Sequence, residues 1–132
     1  MKLLFTMVAL IALAGCASTP PQPQTLEQRI AKKWDLLVAG EYAEAYKYYS
    51  PGYRSVNSEA LFQRAMSSRT IPWLGAKVKD VGPCEPETCK ARVALDYRVQ
   101  PRVPGAKAFE STKIVHENWI FQKGQWFYVP KQ

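Results

Sequence analysis

Three cysteines and one histidine are the residues of this chain best suited to metal binding, redox chemistry or nucleophilic attack. Cys84 and Cys89 lie in a short segment in which Gly82, Pro83 and Pro86 indicate a turn. A redox pair needs C-x-x-C spacing at a helix start, and a zinc site needs about four ligands, which this pair and the distant His116 do not supply. The pair therefore predicts a disulfide that closes a turn between two strands, with no metal and no cofactor.

The third cysteine ends a segment typical of an export signal. Met1 and Lys2 precede an apolar run that finishes at Leu13-Ala14-Gly15-Cys16. The run is shorter than the ~20 residues of a membrane-spanning helix, which favours a cleaved signal peptide. The last four residues resemble the lipobox of bacterial lipoproteins. That resemblance implies a diacylglycerol on the thiol of Cys16, cleavage before it, and acylation of the new amino group by a chain such as palmitate. The alternative is an ordinary signal peptide with an incidental cysteine.

Lipidation of Cys16 would decide where the protein works. Two or more acyl chains hold a protein on a bilayer stably, so membrane lipid becomes its first partner. The two residues after the cysteine are Ala17 and Ser18, so no aspartate occupies the position that follows it. By resemblance to the rules that sort lipoproteins in enteric bacteria, this implies a location in the outer membrane, facing the periplasm. That oxidising compartment also favours the disulfide. The predicted organisation is a signal peptide over 1–15, a lipidated cysteine with a Pro-rich tether over 16–24, and one α+β domain over 25–132.

The net charge and the length of the chain limit the classes of function that it can have. The chain has 132 residues and a formal charge of +7, enough for one modest core. An excess of basic residues often indicates a protein that binds nucleic acid. An exported protein does not encounter nucleic acid, so no nucleic-acid partner is expected. Anionic lipid headgroups, peptidoglycan or an acidic envelope protein remain as partners, and a well-solvated surface remains the simpler interpretation.

Helical signals occupy the first part of the domain. Thr25 with Gln28 three residues later predicts a capping box, and apolar residues then recur at helical spacing until Gly40. The predicted elements are a helix from residue 25 to residue 40, a short helix from 41 to 50, a short strand over 53–56 and a third helix over 58–68.

Strand signals occupy the remainder. From Pro72 the period changes to two, and residues 90–99 alternate charged and apolar side chains as a half-buried antiparallel strand does. Strands over 90–99, 108–121 and 125–130 predict helices packed on an antiparallel meander, an α+β fold. The last hairpin is apolar on both sides, so the helices would cover one side. A second copy of the chain, or its own loops, would cover the other.

Three segments carry a resemblance to a known family: WDLLVAGEYAEAY at 34–46, Leu61-Phe62, and ENWIFQKGQWF at 117–127. They resemble the nuclear transport factor 2-like superfamily, the curved cone (SnoaL-like, cystatin-like) that also contains ketosteroid isomerase and scytalone dehydratase. The resemblance implies a pocket between sheet and helices and a homodimer formed through the sheet. The candidate pocket residues are Tyr46, Tyr49, His116, Glu117, Trp119 and Trp126.

Glu117 is the candidate general base of such a pocket, because it shares a strand face with large aromatic residues. Isomerase chemistry of that family needs a carboxylate base and a dry oxyanion site. Asp96 alternates onto the charged face with Arg92 and Arg98, where it stays solvated. The alternative is a scaffold role in which Glu117 pairs with an arginine or a capping group. Scytalone dehydratase resemblance calls for paired histidine and aspartate, whereas this chain has only His116, which we interpret as a satisfied sheet residue.

Three functions follow from the sequence. The first is a membrane-anchored envelope lipoprotein with a small non-enzymatic domain that binds a small apolar ligand or a partner protein. The second is an isomerase, lyase or hydrolase that uses Glu117. The third is a protein that contacts the cell wall or lipid headgroups through its basic face. The state of Glu117 separates the first two, since a base must be dry, unpaired and close to a tyrosine hydroxyl.

Overall fold

The computed structural model describes residue 15 and residues 22–132, so the predicted lipidation site at Cys16 and most of the signal peptide lie outside the described residues. In the described part, four helices precede a four-stranded antiparallel sheet, which confirms the predicted α+β class. None of those helices combines the length and apolar character needed to cross a membrane. The elements are α1 (Leu26–Ala39), α2 (Tyr42–Tyr46), α3 (Pro51–Val56), α4 (Glu59–Ser67), β1 (Trp73–Cys84), β2 (Thr88–Val99), β3 (Phe109–Gln122) and β4 (Gln125–Val129).

The ends of α1 follow the sequence signals. Thr25 and Gln28 form the predicted capping box, in which each side chain bonds the other residue's backbone N–H. Gly40 ends the helix with φ of 78°, a left-handed conformation that favours glycine, and its N–H donates to carbonyls of the last turn. Ser58 caps α4 in the predicted way by accepting from the backbone N–H of Leu61.

The predicted short strand at residues 53–56 is wrong, because these residues belong to α3. The side chain of Ser50 accepts from the backbone N–H of Tyr53, and Pro51 occupies the first helical turn. Proline is favoured at that position because its fixed φ suits a helix and the missing N–H would have no partner there. Ser50 and Pro51, at the end of the short helix predicted over 41–50, therefore start a helix.

The sheet is an antiparallel meander in the order β1, β2, β3, β4. The β2 and β3 strands pair without interruption from Thr88 opposite Ile120 to Val99 opposite Phe109. The β1 and β2 strands pair with three register shifts, and Cys84 lies opposite Cys89 at their connected ends. The two sulfur atoms lie at disulfide distance, as the sequence predicts.

The core lies between the helices and one face of the sheet, which we call the inner face. On β2, Ala91, Val93 and Leu95 are buried while Lys90 and Arg92 are exposed, which confirms the predicted alternation. Ile30 and Leu37 of α1 and Trp119 of β3 belong to the same buried cluster.

The opposite face of the sheet, the outer face, carries ion pairs. Arg92 binds Asp80 through two nitrogens, and Arg98 Nη2 lies 2.8 Å from Glu110 Oε1. The guanidinium of Arg92, by hydrogen bonding and by charge, lowers the pKa of the Asp80 carboxyl. Arg92 and Arg98 of this face are thus matched by carboxylates.

Candidate functional site

A buried ion pair joins α1 to β3. Lys33 Nζ donates to Glu117 Oε1, and the two side chains are 1% and 0% exposed. Moving charged groups out of water costs several kcal/mol each, so charges persist in an interior only when they are paired and hydrogen-bonded. A pair this deeply buried therefore needs further polar partners.

Two indole N–H groups supply those partners to Glu117. Trp34 Nε1 lies 2.7 Å from Oε1, and Trp119 Nε1 lies 2.8 Å from Oε2. With Lys33, the carboxylate accepts three hydrogen bonds, and both of its oxygens are engaged. Inside the core, the side chain of Glu117 is thus bonded to one cation and two neutral donors.

Aromatic rings surround the ammonium of Lys33. Its Nζ lies 3.8 Å from the ring centroid of Tyr128, 4.6 Å from that of Trp34 and 5.5 Å from that of Trp119. The negative faces of these rings attract a cation and offset part of its lost hydration. Burial lowers the pKa of Lys33, while the charge and hydrogen bond of Glu117 oppose that shift.

Ordinary helix and strand periodicity positions both members of the pair. Lys33 follows Ile30 by three positions and precedes Leu37 by four, so it lies on the buried stripe of α1. Glu117 lies two positions from Trp119 on the inner face of β3, where alternate residues point to the helices.

A cavity of about 300 Å³ adjoins the pair, between the helices and the inner face of the sheet. Lys33 contributes to its wall, and most of the other lining groups are aromatic or aliphatic. Pockets of this size and composition are typical of sites for small ligands. Prominent lining residues are Trp34, Tyr49, Met66, Trp73, Val115 and Tyr128.

The cavity tyrosines stay protonated at neutral pH. Burial, helped by nearby phenols and by Glu117, raises the pKa of Tyr49 well above its ordinary value. Burial, together with the charge of Glu117, raises the pKa of Tyr128 to about 12. Both side chains are therefore neutral parts of the cavity lining.

Three of the six candidate pocket residues lie in or beside this cavity. Tyr49 lines it, and Glu117 and Trp119 form the hydrogen-bonded group behind Lys33. The scaffold interpretation of Glu117 named an arginine or a capping group as its partner, but the partner is a lysine, because α1 presents Lys33 directly over β3.

The other three candidates lie elsewhere. The hydroxyl of Tyr46 donates to the backbone carbonyl of Asn57, 2.5 Å away, at the end of α3. His116 is exposed on the outer face, because it occupies the alternate position to Glu117 on β3. Trp126 packs edge-on against Phe121, its partner in the β3–β4 hairpin, with ring centroids 5.3 Å apart. Strand alternation thus places His116 on the outer face, and neither Tyr46 nor Trp126 belongs to the described lining of the cavity.

Comparison with known proteins gives a likeness in structure only. No protein-family model matches the chain, and no curated protein matches its sequence. Among solved structures, a SEC-C motif containing protein from Rhodopseudomonas palustris is similar with a TM-score of 0.58 and 10% identity, over 80% of this chain and 75% of that one. A sec-c motif containing protein from Psychrobacter arcticus is similar with a TM-score of 0.60 and 11% identity, over 85% of this chain and 62% of that one.

The resemblance to the nuclear transport factor 2-like superfamily is wrong, since these similar structures are SEC-C motif containing proteins. The segments that suggested this family form an α1–α2 hairpin and a closing β-hairpin, and other α+β folds also contain such hairpins. At 10% and 11% identity the likeness shows the fold alone. The chain also spans less than two thirds of the Psychrobacter arcticus protein. The comparisons add no support for a lipoprotein, so that expectation depends on the sequence around Cys16.

Proposed function

We propose that this chain is an envelope lipoprotein, anchored through Cys16, whose non-enzymatic domain binds a small, largely apolar ligand. One observation carries the proposal: a cavity of about 300 Å³ with aromatic and aliphatic walls lies beside a carboxylate whose two oxygens are already engaged. Apolar walls favour binding by removal of ligand surface from water, at about 25 cal/mol per Å².

The state of Glu117 favours binding over the isomerase, lyase or hydrolase alternative. A general base must come within about 2.6–3.2 Å of the proton that it removes, with an oxygen free to accept it. The side chain of Glu117 is fully buried and accepts from Lys33, Trp34 and Trp119. To act as a base, it would have to release one of these donors into a buried site, which costs about 1–3 kcal/mol for each group left unsatisfied.

The outer face bears on the alternative of a cell-wall or headgroup contact. Arg92 and Arg98 are paired with Asp80 and Glu110, so this face offers less free positive charge than the composition suggests.

Ile114 on the same face is 45% exposed, and we keep a homodimer through the sheet as part of the proposal. An envelope protein that docks on the domain is the other partner the proposal allows.

Equilibrium dialysis with a neutral apolar probe tests the proposal. The full chain is reconstituted in phosphatidylcholine nanodiscs, 2-naphthalenemethanol is the probe, and uptake by empty discs is subtracted. We expect saturable binding that the Val115→Phe variant weakens at least tenfold, because the larger ring fills the cavity. Val103→Phe, which adds the same ring to a 65% exposed loop position, is the matched control and leaves binding unchanged.

Two results would contradict the proposal. Absence of saturable binding, or equal binding by the Val115→Phe variant, would remove the cavity as the site. Turnover of a small hydrophobic ester or ketone that Glu117→Gln abolishes, in a variant shown by circular dichroism to be folded, would establish the enzyme alternative instead.

A further inference from the structure

The cavity opens beside a second hollow, and two cationic side chains lie where they meet. The second hollow has a volume of about 520 Å³, and Trp73 and Lys113 contribute to the walls of both. Arg69 lines the second hollow next to them. An apolar compartment and a cationic compartment are therefore adjacent.

Lys113 faces this junction because of its strand position. It lies opposite Leu95, two positions before Val115, in the row of β3 that points to the helices. Among residues 22–132, none of the ion pairs includes Lys113. Its Nζ lies 5.5 Å from the ring centroid of Tyr97, another residue of the second hollow. Lys113 thus combines an exposed ammonium with an aromatic neighbour.

Arg69 is fixed beside it by stacking. The guanidinium carbon of Arg69 lies 3.4 Å from the ring centroid of Trp73, and Nε donates to the backbone carbonyl of Met66. Nη2 lies 3.2 Å from the hydroxyl of Tyr42, a neutral partner. Arg69 also belongs to none of the ion pairs in the described residues. These contacts hold the guanidinium without neutralising it.

The charge of this region is unbalanced. Neither hollow has an aspartate or glutamate in its described lining. Lys33, the remaining cation of the cavity wall, is neutralised by Glu117. Two positive charges thus lie next to low-dielectric aromatic walls, an arrangement that concentrates positive potential in a cleft.

We propose that the ligand of this domain is an amphipathic organic anion, with its apolar body in the cavity and its carboxylate or phosphate between Lys113 and Arg69. This inference rests on the proposed binding function and specifies the chemical class of the ligand. The aromatic walls take up the body, while the two cations select for a negative group at the cavity mouth.

A pair of matched probes tests the inference in the full chain in phosphatidylcholine nanodiscs. Naphthalene-2-carboxylate and 2-naphthalenemethanol share the same ring system and differ in charge. At low salt we expect the carboxylate to bind at least fivefold more tightly than the alcohol. The Lys113→Gln variant should lose most of that preference, so that the ratio of the two affinities falls toward one. Lys77→Gln, an exposed strand lysine on the outer face, is the control and should bind both probes as the unmodified chain does.

The outcomes separate the two proposals. Equal affinity for both probes, with no effect of Lys113→Gln, overturns the anion inference and leaves the apolar cavity standing. Binding of neither probe overturns the binding function itself. When the preference is present, phosphatidylglycerol in the discs identifies the source of the anion: displacement of the carboxylate assigns the site to a lipid headgroup, and its retention assigns the site to a soluble anion.

Discussion

Removal of the Lys33 ammonium should destabilise the domain more than any change at an exposed lysine. The Lys33→Met variant keeps a long apolar side chain on α1 but leaves Glu117 buried without a cation. Breaking a buried pair from one side costs about 3–5 kcal/mol, a large part of the 5–15 kcal/mol that stabilises a typical domain. Lys32→Met, the exposed neighbour on α1, is the matched control and should stay within about 0.5 kcal/mol of the unmodified chain.

A second substitution tests whether the uncompensated charge is the cause. In the double variant Lys33→Met/Glu117→Gln the buried charge is gone, and the amide oxygen still accepts from Trp34. The amide nitrogen cannot accept from Trp119, so one unsatisfied donor remains, at about 1–3 kcal/mol. The double variant should therefore be more stable than Lys33→Met alone.

Urea unfolding of the full chain in a mild detergent, followed by tryptophan fluorescence, measures these differences. A loss of 3–5 kcal/mol lowers the urea midpoint by about 2 M for a domain of this size. A Lys33→Met variant within about 1 kcal/mol of the unmodified chain would refute the reasoning. So would a double variant whose loss equals the sum of the two single losses, because additivity would mean that the two side chains do not interact.

Three further predictions concern the anchor, the disulfide and alkaline stability. Cys16→Ser should abolish both incorporation of labelled palmitate and cleavage before residue 16, and processing that continues there would contradict the lipobox. Mass spectrometry without reductant should find the peptide containing Cys84 and Cys89 two hydrogens lighter than its dithiol form, and free thiols would contradict the oxidising compartment. Because burial raises the pKa of Tyr128 to about 12, unfolding releases a proton above pH 10, so the free energy of unfolding should fall by about 1 kcal/mol from this group by pH 11. In urea titrations, the Tyr128→Phe variant should lose less of its free energy of unfolding between pH 10 and pH 11 than the unmodified chain does. An equal loss in both would contradict the assignment to Tyr128.

Local signals predicted most of the fold. The capping box at Thr25, the serine cap at Ser58 and the alternation of β2 each depend on residues close together in the chain, so the sequence displays them directly. The strand predicted over 53–56 failed because a proline after a serine can end one helix or begin the next. The family resemblance failed for a related reason, since helix hairpins and β-hairpins recur in many α+β folds.

The site was harder to predict than the fold because it depends on a contact between residues 84 positions apart. Periodicity indicates that Lys33 lies on the buried stripe of α1 and that Glu117 lies on the inner face of β3, but it does not indicate that they meet. A lysine inside an apolar helical stripe was the available signal, because a buried ammonium requires a buried acceptor. Glu117, among aromatic residues on β3, gave the complementary signal, because a buried carboxylate requires a buried donor.

The pairing of Lys33 with Glu117 also determines which charges of the cavity can act on a ligand. Two opposite charges in contact produce a weak field a few ångströms away, so the cavity next to them behaves as a neutral, aromatic space. Among residues 22–132, Lys113 and Arg69 belong to none of the ion pairs, and their field reaches any group at the cavity mouth.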